Sequence, residues 1–274
     1  QQVEAGGIDP EALRLGGMDH HVDAGLEVVG HVEVLDPAAR RAHQVVVVPG
    51  ERLVEFEAGV VVGRLDPAGD AGVLTMIHAE DASILANQAA ELEAQGRTSV
   101  AYQPEARPAL AEEVAMMRAV AMAEQTGSPV YAVHVSSERA LRVAQAARAR
   151  GLPFFIETRP IYLHLTRERF DGPDAGLYVG QPPLREQSDQ DALWEALANG
   201  TIDVVGTDHV AYSREDKLDP SQTITNHRAG MNHLQMLRPL LFSDGVLAGR
   251  ISVERFVEVT ATNSCGVSRP VPTP

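Results

Sequence analysis

Runs of apolar residues along the chain change their spacing and surroundings near residue 70. Before that point, valine-rich runs at residues 28–34, 44–48 and 53–62 are interrupted by proline and glycine. This pattern is typical of short β-strands joined by turns. After it, short apolar runs alternate with longer stretches whose apolar residues recur at helical spacing. The pattern therefore predicts a β-rich segment over residues 1–70 and an α/β region over residues 71–274.

The second region predicts an alternating series of strands and helices. Strands are predicted at residues 73–77, 130–133, 153–156 and 202–205. Helices are predicted at residues 81–95, 108–125, 136 or 137 to 151, 187–199, 231–242 and 253–259. Strand-helix units of this length connect parallel strands by right-handed crossovers. The sequence therefore predicts an α/β barrel or an open doubly wound sheet.

Side chains with metal-binding or acid/base chemistry follow the predicted strands. They are His78, His134, Glu157 and Asp208. In an α/β barrel, the C-terminal ends of the strands converge on one mouth, and active sites are built there. Two imidazoles and a carboxylate at that mouth suit a divalent cation such as zinc. We therefore predict a metal site formed by His78, His134 and Asp208.

Each of these residues also has a purely structural interpretation when it is taken alone. A histidine at a strand end commonly forms internal hydrogen bonds, and an aspartate there is commonly a helix N-cap. For Glu157, the structural alternative is an ion pair with Arg159 or another arginine. The complementary residue types at successive strand ends favour the metal site over these alternatives.

The composition excludes several classes of function. A formal net charge of −15 disfavours binding to nucleic acid or to an anionic membrane, because both need clustered positive charge. The single cysteine, Cys265, cannot form an internal disulfide, and no apolar run is long enough to span a bilayer. The N-terminus lacks a signal-peptide pattern, so we expect a cytoplasmic protein. Lys217 is the one lysine of the chain, so any chemistry that needs a lysine side chain has a single candidate residue.

Five ordered motifs between residues 73 and 267 resemble those of the cyclic amidohydrolases, in particular dihydropyrimidinase and hydantoinase. The motifs are His78-Ala79-Glu80-Asp81, His134-Val135-Ser136-Ser137, Glu157-Thr158-Arg159-Pro160, Pro182-Pro183-Leu184-Arg185 and Gly206-Thr207-Asp208-His209. The resemblance implies a TIM-type (β/α)8 metal-dependent hydrolase barrel. Such an enzyme opens a cyclic amide or imide, here a hydantoin or a dihydropyrimidine, to an N-carbamoyl amino acid. The resemblance also implies one or two zinc ions and a homo-oligomer, a tetramer by analogy.

The resemblance assigns roles to individual residues. His78 and His134 would bind one metal ion, while Asp208 would bind the other and act as the catalytic proton shuttle. Gln181 and Asn226 stand at the positions where the family binds the ring amide of the substrate through the backbone. The resemblance thus implies that Gln181 and Asn226 bind the substrate.

The family's first-strand motif and its metal bridge match this chain less completely. His21 fits the first of the two histidines of that motif, as a further metal ligand, whereas Asp23 stands in place of the second. The two metals of the family are bridged by a carboxylated lysine, which is not found here, since Lys217 lies in a different part of the chain. The stretch from His21 to His78 is also too short for that half of a closed barrel. A divergent enzyme, a degenerate non-catalytic relative and a sequence with missing barrel segments would each explain this, and we favour missing segments.

Two other functions stay open from the sequence. Allantoin or dihydroorotate would be opened by the same chemistry, and the carboxylate of dihydroorotate would need an arginine, for which Arg159 and Arg185 are candidates. A non-catalytic scaffold relative would keep the barrel but lose metal-binding histidines, whereas His78 and His134 are present. Hydrolysis of a hydantoin or dihydropyrimidine is therefore the favoured prediction.

Overall fold

The computed structural model describes residues 74–264 together with the backbone of three short strands that precede them. Two of those strands form an antiparallel pair, and the third joins a parallel sheet. The rest of the predicted β-rich segment over residues 1–70 lies outside the described residues, as does the C-terminal end of the predicted α/β region. The boundary at residue 70 therefore stays a prediction.

The strands of the described part of the chain are parallel, apart from one short pair. In chain order they are β1 (Val34–Leu35), β2 (Ala42–His43), β3 (Val54–Glu57), β4 (Thr75–His78), β5 (Val130–Ala132), β6 (Phe154–Thr158) and β7 (Val204–Val205). The antiparallel pair is β1 and β2, and the parallel sheet has the order β3-β4-β5-β6-β7. Successive strands lie side by side, as strand-helix-strand units require. The predicted α/β architecture with parallel strands is therefore confirmed.

Helices connect these strands. They are α1 (Ala82–Ala94), α2 (Gln103–Ala106), α3 (Ala109–Thr126), α4 (Glu138–Ala149), α5 (Pro160–His164), α6 (Gln187–Ala198), α7 (Arg214–Lys217), α8 (Leu237–Leu240) and α9 (Val253–Val257). Single turns of 3-10 helix lie at Val100–Tyr102, Arg167–Phe170, Ala175–Tyr178 and Leu234–Met236, and π-helical segments lie at Leu241–Leu247 and Glu258–Thr262. Among the described residues, no helix is both long and apolar enough to cross a membrane.

Local signals fix the long helices. The Asp81 carboxylate accepts hydrogen bonds from the backbone N–H groups of Ser83 and Ile84, at 3.1 and 3.0 Å, and so begins α1. The Ser137 hydroxyl caps α4 in the same way. Gly127 ends α3 with φ of 69°, a left-handed conformation that glycine adopts without strain. Glu186 and Asp189 form a capping box at the start of α6. These signals explain why α1, α3, α4 and α6 match the predicted ranges to within about two residues.

The main core lies between the sheet and its helices. Fully or almost fully buried alanines belong to α3 and α4, namely Ala115, Ala119, Ala123, Ala140, Ala144 and Ala147. Such small side chains let the two helices pack closely against the buried face of the sheet. Ile77, Ala132 and Ile156 contribute to the same core from three neighbouring strands. The strand ends that carry the candidate residues therefore rest on a densely packed support.

Candidate metal and acid/base site

The side chains predicted to carry chemistry stand along one edge of the sheet. His78 ends β4, and Glu157 lies near the end of β6. His134 and Asp208 come just after β5 and β7, respectively. Since β4 to β7 are parallel neighbours, their C-terminal ends share this edge. The structure therefore places all four residues where an α/β fold builds its active sites.

Two of the four residues have a left-handed backbone. The φ angles are 44° for His134 and 46° for Asp208. This conformation is uncommon outside glycine, although His and Asp adopt it more often than most residues do. It costs about 1–3 kcal/mol and tends to occur where function fixes the direction of a side chain. The backbone thus marks the turns at His134 and Asp208 as candidate functional positions.

The imidazoles of His78 and His134 meet at the edge of the sheet. His78 Nδ1 lies 3.0 Å from His134 Nε2, and the two rings pack edge to face with centroids 4.8 Å apart. Burial, reinforced by the neighbouring His78, lowers the pKa of His134 well below its usual range. His134 therefore stays neutral at physiological pH and keeps a ring nitrogen lone pair, which is the form that binds metal.

Glu80 orients the His78 ring. Its Oε2 lies 2.9 Å from His78 Nε2, so the hydrogen of that nitrogen points to Glu80 and the Nδ1 lone pair faces His134. The buried Glu80 carboxylate also accepts from Arg107 Nε at 3.0 and 3.1 Å. Burial alone would raise the pKa of Glu80, but the Arg107 charge and the His78 hydrogen bond hold it well below its usual range. Glu80 is therefore a permanent anion that fixes the His78 tautomer.

Asp208 forms an ion pair with Arg159. Arg159 Nη1 donates to Asp208 Oδ2, and Arg159 Nη2 donates to the Tyr162 hydroxyl. The Arg159 side chain is 1% exposed, whereas that of Asp208 is 44% exposed. The buried guanidinium thus holds one carboxylate oxygen and leaves the rest of the Asp208 side chain facing the open edge.

The interpretation of Glu157 as the ion-pair partner of Arg159 is wrong, because Arg159 pairs with Asp208 instead. Glu157 accepts a 2.7 Å hydrogen bond from the Tyr131 hydroxyl and a 3.3 Å bond from the His134 backbone N–H. Burial raises the pKa of Glu157. A Cβ at Gly206 would lie 2.5 Å from Glu157 Oε2, so a larger residue there would displace the Glu157 carboxylate. Glu157 therefore supports the His134 turn.

Within residues 74–264, no group of three His, Cys, Asp or Glu side chains is arranged to hold a metal ion. The structure joins His78 to His134, holds Asp208 on Arg159, and leaves His21 outside the described residues. The imidazole pair nevertheless fits a metal chemically. Two nitrogens bound to one tetrahedral zinc ion lie roughly 3.3 Å apart. The 3.0 Å separation observed here is close to that value.

Gln181 lies in a turn that packs against Arg159 and Tyr162. A Cβ at the preceding Gly180 would come 3.2 Å from Arg159 Nη2, and the Tyr162 hydroxyl donates a 2.7 Å hydrogen bond to the Pro182 carbonyl. Gln181 Nε2 is 3.0 Å from His227 Nε2. The structure thus brings the backbone on either side of Gln181 close to Arg159 and Tyr162, and the Gln181 side chain close to the loop that carries Asn226.

Asn226 uses its backbone within its own turn. Its N–H donates to Thr223 Oγ1 at 3.1 Å, its carbonyl accepts from the Thr223 N–H at 2.8 Å, and the residue is exposed. A role for the Asn226 backbone in substrate binding stays a prediction. The neighbouring His227 also lies 3.2 Å from Gln103 Nε2. The contact between Gln103 and His227 could not be predicted from the sequence, because 124 positions separate the two residues and no local pattern pairs them.

Lys217 connects the segment that carries Gln181 to the segment that carries Asn226. Its ammonium donates to the carbonyls of Val179, Arg228 and Gly230 at 2.7, 2.7 and 2.8 Å. Burial lowers the pKa of Lys217 to about 8, so the charged form prevails at pH 7. Val179 lies two residues before Gln181, and Arg228 two residues after Asn226. Lys217 therefore has a structural role, because it holds these two segments together. Its described contacts give it no role as a metal bridge.

We expect Lys217→Met to lower the free energy of unfolding by about 3 kcal/mol, because three carbonyls, two of them buried, lose a charged donor. Urea unfolding measures the loss. The matched control is Arg214→Met in the same helix, where an exposed ion pair with Asp174 is removed at an expected cost below about 1 kcal/mol. Equal losses of unfolding free energy in the two variants would show that the Lys217 hydrogen bonds do not stabilise the fold.

Comparisons with known proteins agree with the geometry. No family model matches the chain. A D-phenylhydantoinase of Escherichia coli O1:K1 / APEC is 38% identical over 194 residues, which is 70% of this chain and 42% of that protein. The D-hydantoinase (dihydropyrimidinase) structure from Thermus sp. matches with a TM-score of 0.75 and 31% identity over 80% of this chain and 50% of that one.

The dihydropyrimidinase structure from Brevibacillus agri NCHU1002 gives a similar result, with a TM-score of 0.74 and 31% identity over 80% of this chain and 50% of that one. The chain therefore spans about half the length of the relatives that it matches. These structural neighbours confirm the TIM-type α/β fold class predicted from the sequence.

Proposed function

Because this chain belongs to the dihydropyrimidinase/hydantoinase group of cyclic amidohydrolases, we propose that it hydrolyses a cyclic amide or imide ring. The observation that carries the proposal is the meeting of His78 and His134 on the strand edge that also bears Asp208. The names of the relatives support a hydantoin or dihydropyrimidine ring over allantoin or dihydroorotate. Water would add across a ring C–N bond to give an N-carbamoyl amino acid.

A divalent metal, zinc in our proposal, would be held by His78, His134 and Asp208, with His21 as a further ligand outside the described residues. When bound, such an ion lowers the pKa of a coordinated water from about 15.7 to about 7 and so supplies hydroxide. Glu80 serves this site by holding the His78 ring with its Nδ1 lone pair toward His134.

Asp208 is the proposed proton carrier. Arg159 holds its Oδ2, and the carboxylate would take a proton from the attacking water and return it to the leaving ring nitrogen. Arg159 fixes the direction of the carboxylate and is itself buried against Tyr162. Gln181, which follows a glycine packed against Arg159, would bind the ring, as the family resemblance implies.

The test of this proposal is hydrolysis of hydantoin, dihydrouracil, allantoin and dihydroorotate by the purified chain with added zinc. We expect turnover of hydantoin or dihydrouracil, its loss after treatment with a chelator, and its return on re-addition of zinc. Turnover that survives chelation would contradict the metal role. No turnover of any ring, together with a folded protein, would instead favour a scaffold relative.

We also propose a cytoplasmic homotetramer. This assignment rests on the family membership and on the sequence alone. Light scattering on the purified chain measures the oligomeric state, and a monomer would contradict the tetramer.

A further inference from the structure

A cavity of about 450 Å³ lies between α5, α7 and the segment that runs from Gly230 to Leu240. Most of its wall is apolar and is formed by side chains such as Ile161, Leu177 and Met231. Its volume falls within the range of small-molecule sites, roughly 300–1,000 Å³. None of the four strand-end residues of the metal and acid/base site lines it, so the cavity is separate from that site.

His233 lines this cavity and has a buried polar atom without a partner. The residue is 8% exposed, and its Nε2 has no hydrogen-bond partner within residues 74–264. Its Nδ1 is 2.9 Å from the Met231 carbonyl, which only accepts, so Nδ1 carries the hydrogen of the neutral ring and Nε2 carries the lone pair. Burial lowers the pKa of His233, so the ring is neutral at pH 7. Nε2 is therefore an acceptor that lacks a donor, which is costly in a buried position.

The polar side chains around the cavity give their hydrogens to other groups. Lys217 donates to three backbone carbonyls. Arg214 pairs with Asp174, and the Ser213 hydroxyl donates to Asp216. A donor for His233 Nε2 therefore has to come from a molecule that enters the cavity.

The charges of the wall favour a neutral molecule. Lys217 and Arg214 line the cavity, and no carboxylate does so in the part of the chain that the structure describes. A cationic ligand would thus meet two like charges. An anionic ligand would find the Lys217 ammonium already committed to carbonyls, and it would lose hydration without gaining a buried partner.

We propose that this cavity binds a neutral, mostly apolar molecule that carries one N–H or O–H donor, and that this donor bonds to His233 Nε2. The apolar wall buries the body of the molecule, and the single hydrogen bond sets its orientation. The site is additional to the proposed ring hydrolysis and does not rest on it.

Calorimetry of the purified 274-residue chain with indole and 1-methylindole tests the site. Indole is neutral and has one N–H donor, whereas the methyl group of 1-methylindole removes that donor and keeps the apolar body. We expect one indole per chain and an affinity for 1-methylindole that is about tenfold lower, the effect of one buried hydrogen bond. His233→Phe keeps an aromatic ring but removes the acceptor. It should weaken indole binding about tenfold and leave 1-methylindole binding as in the parent.

A second variant tests whether the cavity itself is the site. Leu177→Trp fills part of the cavity and should abolish binding of both indoles. Met117→Trp is the matched control, because Met117 is 55% exposed on α3 and does not line the cavity. This control should bind both indoles as the parent does.

Equal affinity of indole and 1-methylindole for the parent would overturn the proposal, as would a preference for indole that persists in His233→Phe. Binding in Leu177→Trp at the parent's affinity, or no binding of either indole by the parent, would also overturn it. If His233→Phe fails to fold, the parent's preference and Leu177→Trp still decide. Ring hydrolysis enters none of these measurements, so the turnover assay decides the proposed function separately.

Discussion

Turnover of the ring substrate is expected to fall by about a thousandfold or more in Asp208→Asn, the range that a lost general acid-base group produces. Asparagine has the same shape and can still accept a hydrogen bond from Arg159, but it cannot take a proton from the attacking water. The fold should persist because the Asp208 side chain is 44% exposed and not part of the core. Steady-state kcat on hydantoin and thermal unfolding measure the two effects.

Asp171→Asn is the matched control for Asp208→Asn, because Asp171 is exposed and outside the site. It should leave both kcat and the unfolding temperature unchanged. If Asp208→Asn kept more than about a tenth of the parent kcat, Asp208 would not be the proton carrier.

A second large effect is expected from Arg185→Met, this time on stability. Arg185 lies in a buried network, donating from Nε to Ser136 Oγ at 3.0 Å and from Nη2 to Glu112 Oε2 at 3.2 Å. Glu112 also accepts from the Ser136 backbone N–H at 2.7 Å, just beyond the His134 turn. Removing one partner of a buried ion pair leaves the other charge uncompensated and costs about 3–5 kcal/mol. Urea unfolding at pH 8 measures the loss.

The loss in Arg185→Met should depend on pH. Burial raises the pKa of Glu112 even though Arg185 opposes the shift, and without Arg185 the pKa is expected to rise further. A carboxyl group whose folded-state pKa is raised stabilises the fold below its unfolded-state pKa, and this contribution is lost as the pH rises through the folded-state pKa. The deficit relative to the parent should therefore be smaller at pH 5 than at pH 8.

Arg167→Met provides the comparison for Arg185→Met, since it removes an exposed ion pair with Glu186. Its cost should stay below about 1 kcal/mol at both pH values. Similar losses for the two arginines, or a loss in Arg185→Met that is independent of pH, would mean that Glu112 is not left as a buried charge.

The positions of the strands and long helices could be predicted because their signals are local. Asp81 caps α1, Gly127 ends α3, and apolar runs mark the strands that end near His78, His134 and Asp208. Parallel connection then places those ends at one edge of the sheet. The short helices α2, α5 and α7 were not predicted, because tertiary contacts rather than periodic patterns stabilise segments of four or five residues. The predicted helices at 231–242 and 253–259 contain the short helices α8 and α9, each followed by a π-helical segment.

The pairings within the site could not be predicted from the sequence. Arg159 lies two residues after Glu157 in the sequence and was one candidate for its ion-pair partner, yet strand geometry directs Arg159 to Asp208, 49 positions away. The cluster of Gln103 and His227 joins segments that are farther apart still. Glutamine and histidine carry no pattern that identifies a partner, so only the folded arrangement reveals such contacts.

Zinc affinity of the 274-residue chain, measured by calorimetry, tests most directly whether the sheet edge holds a cation. We expect the parent chain to bind zinc and His134→Gln to weaken binding by more than about tenfold, because even residues that only hydrogen-bond to a metal ligand commonly contribute that much to the affinity. His164→Gln should bind zinc as the parent does, because the His164 ring contacts the Pro160 carbonyl. Equal zinc affinity and stoichiometry in the parent and in His134→Gln would contradict a metal site at His134.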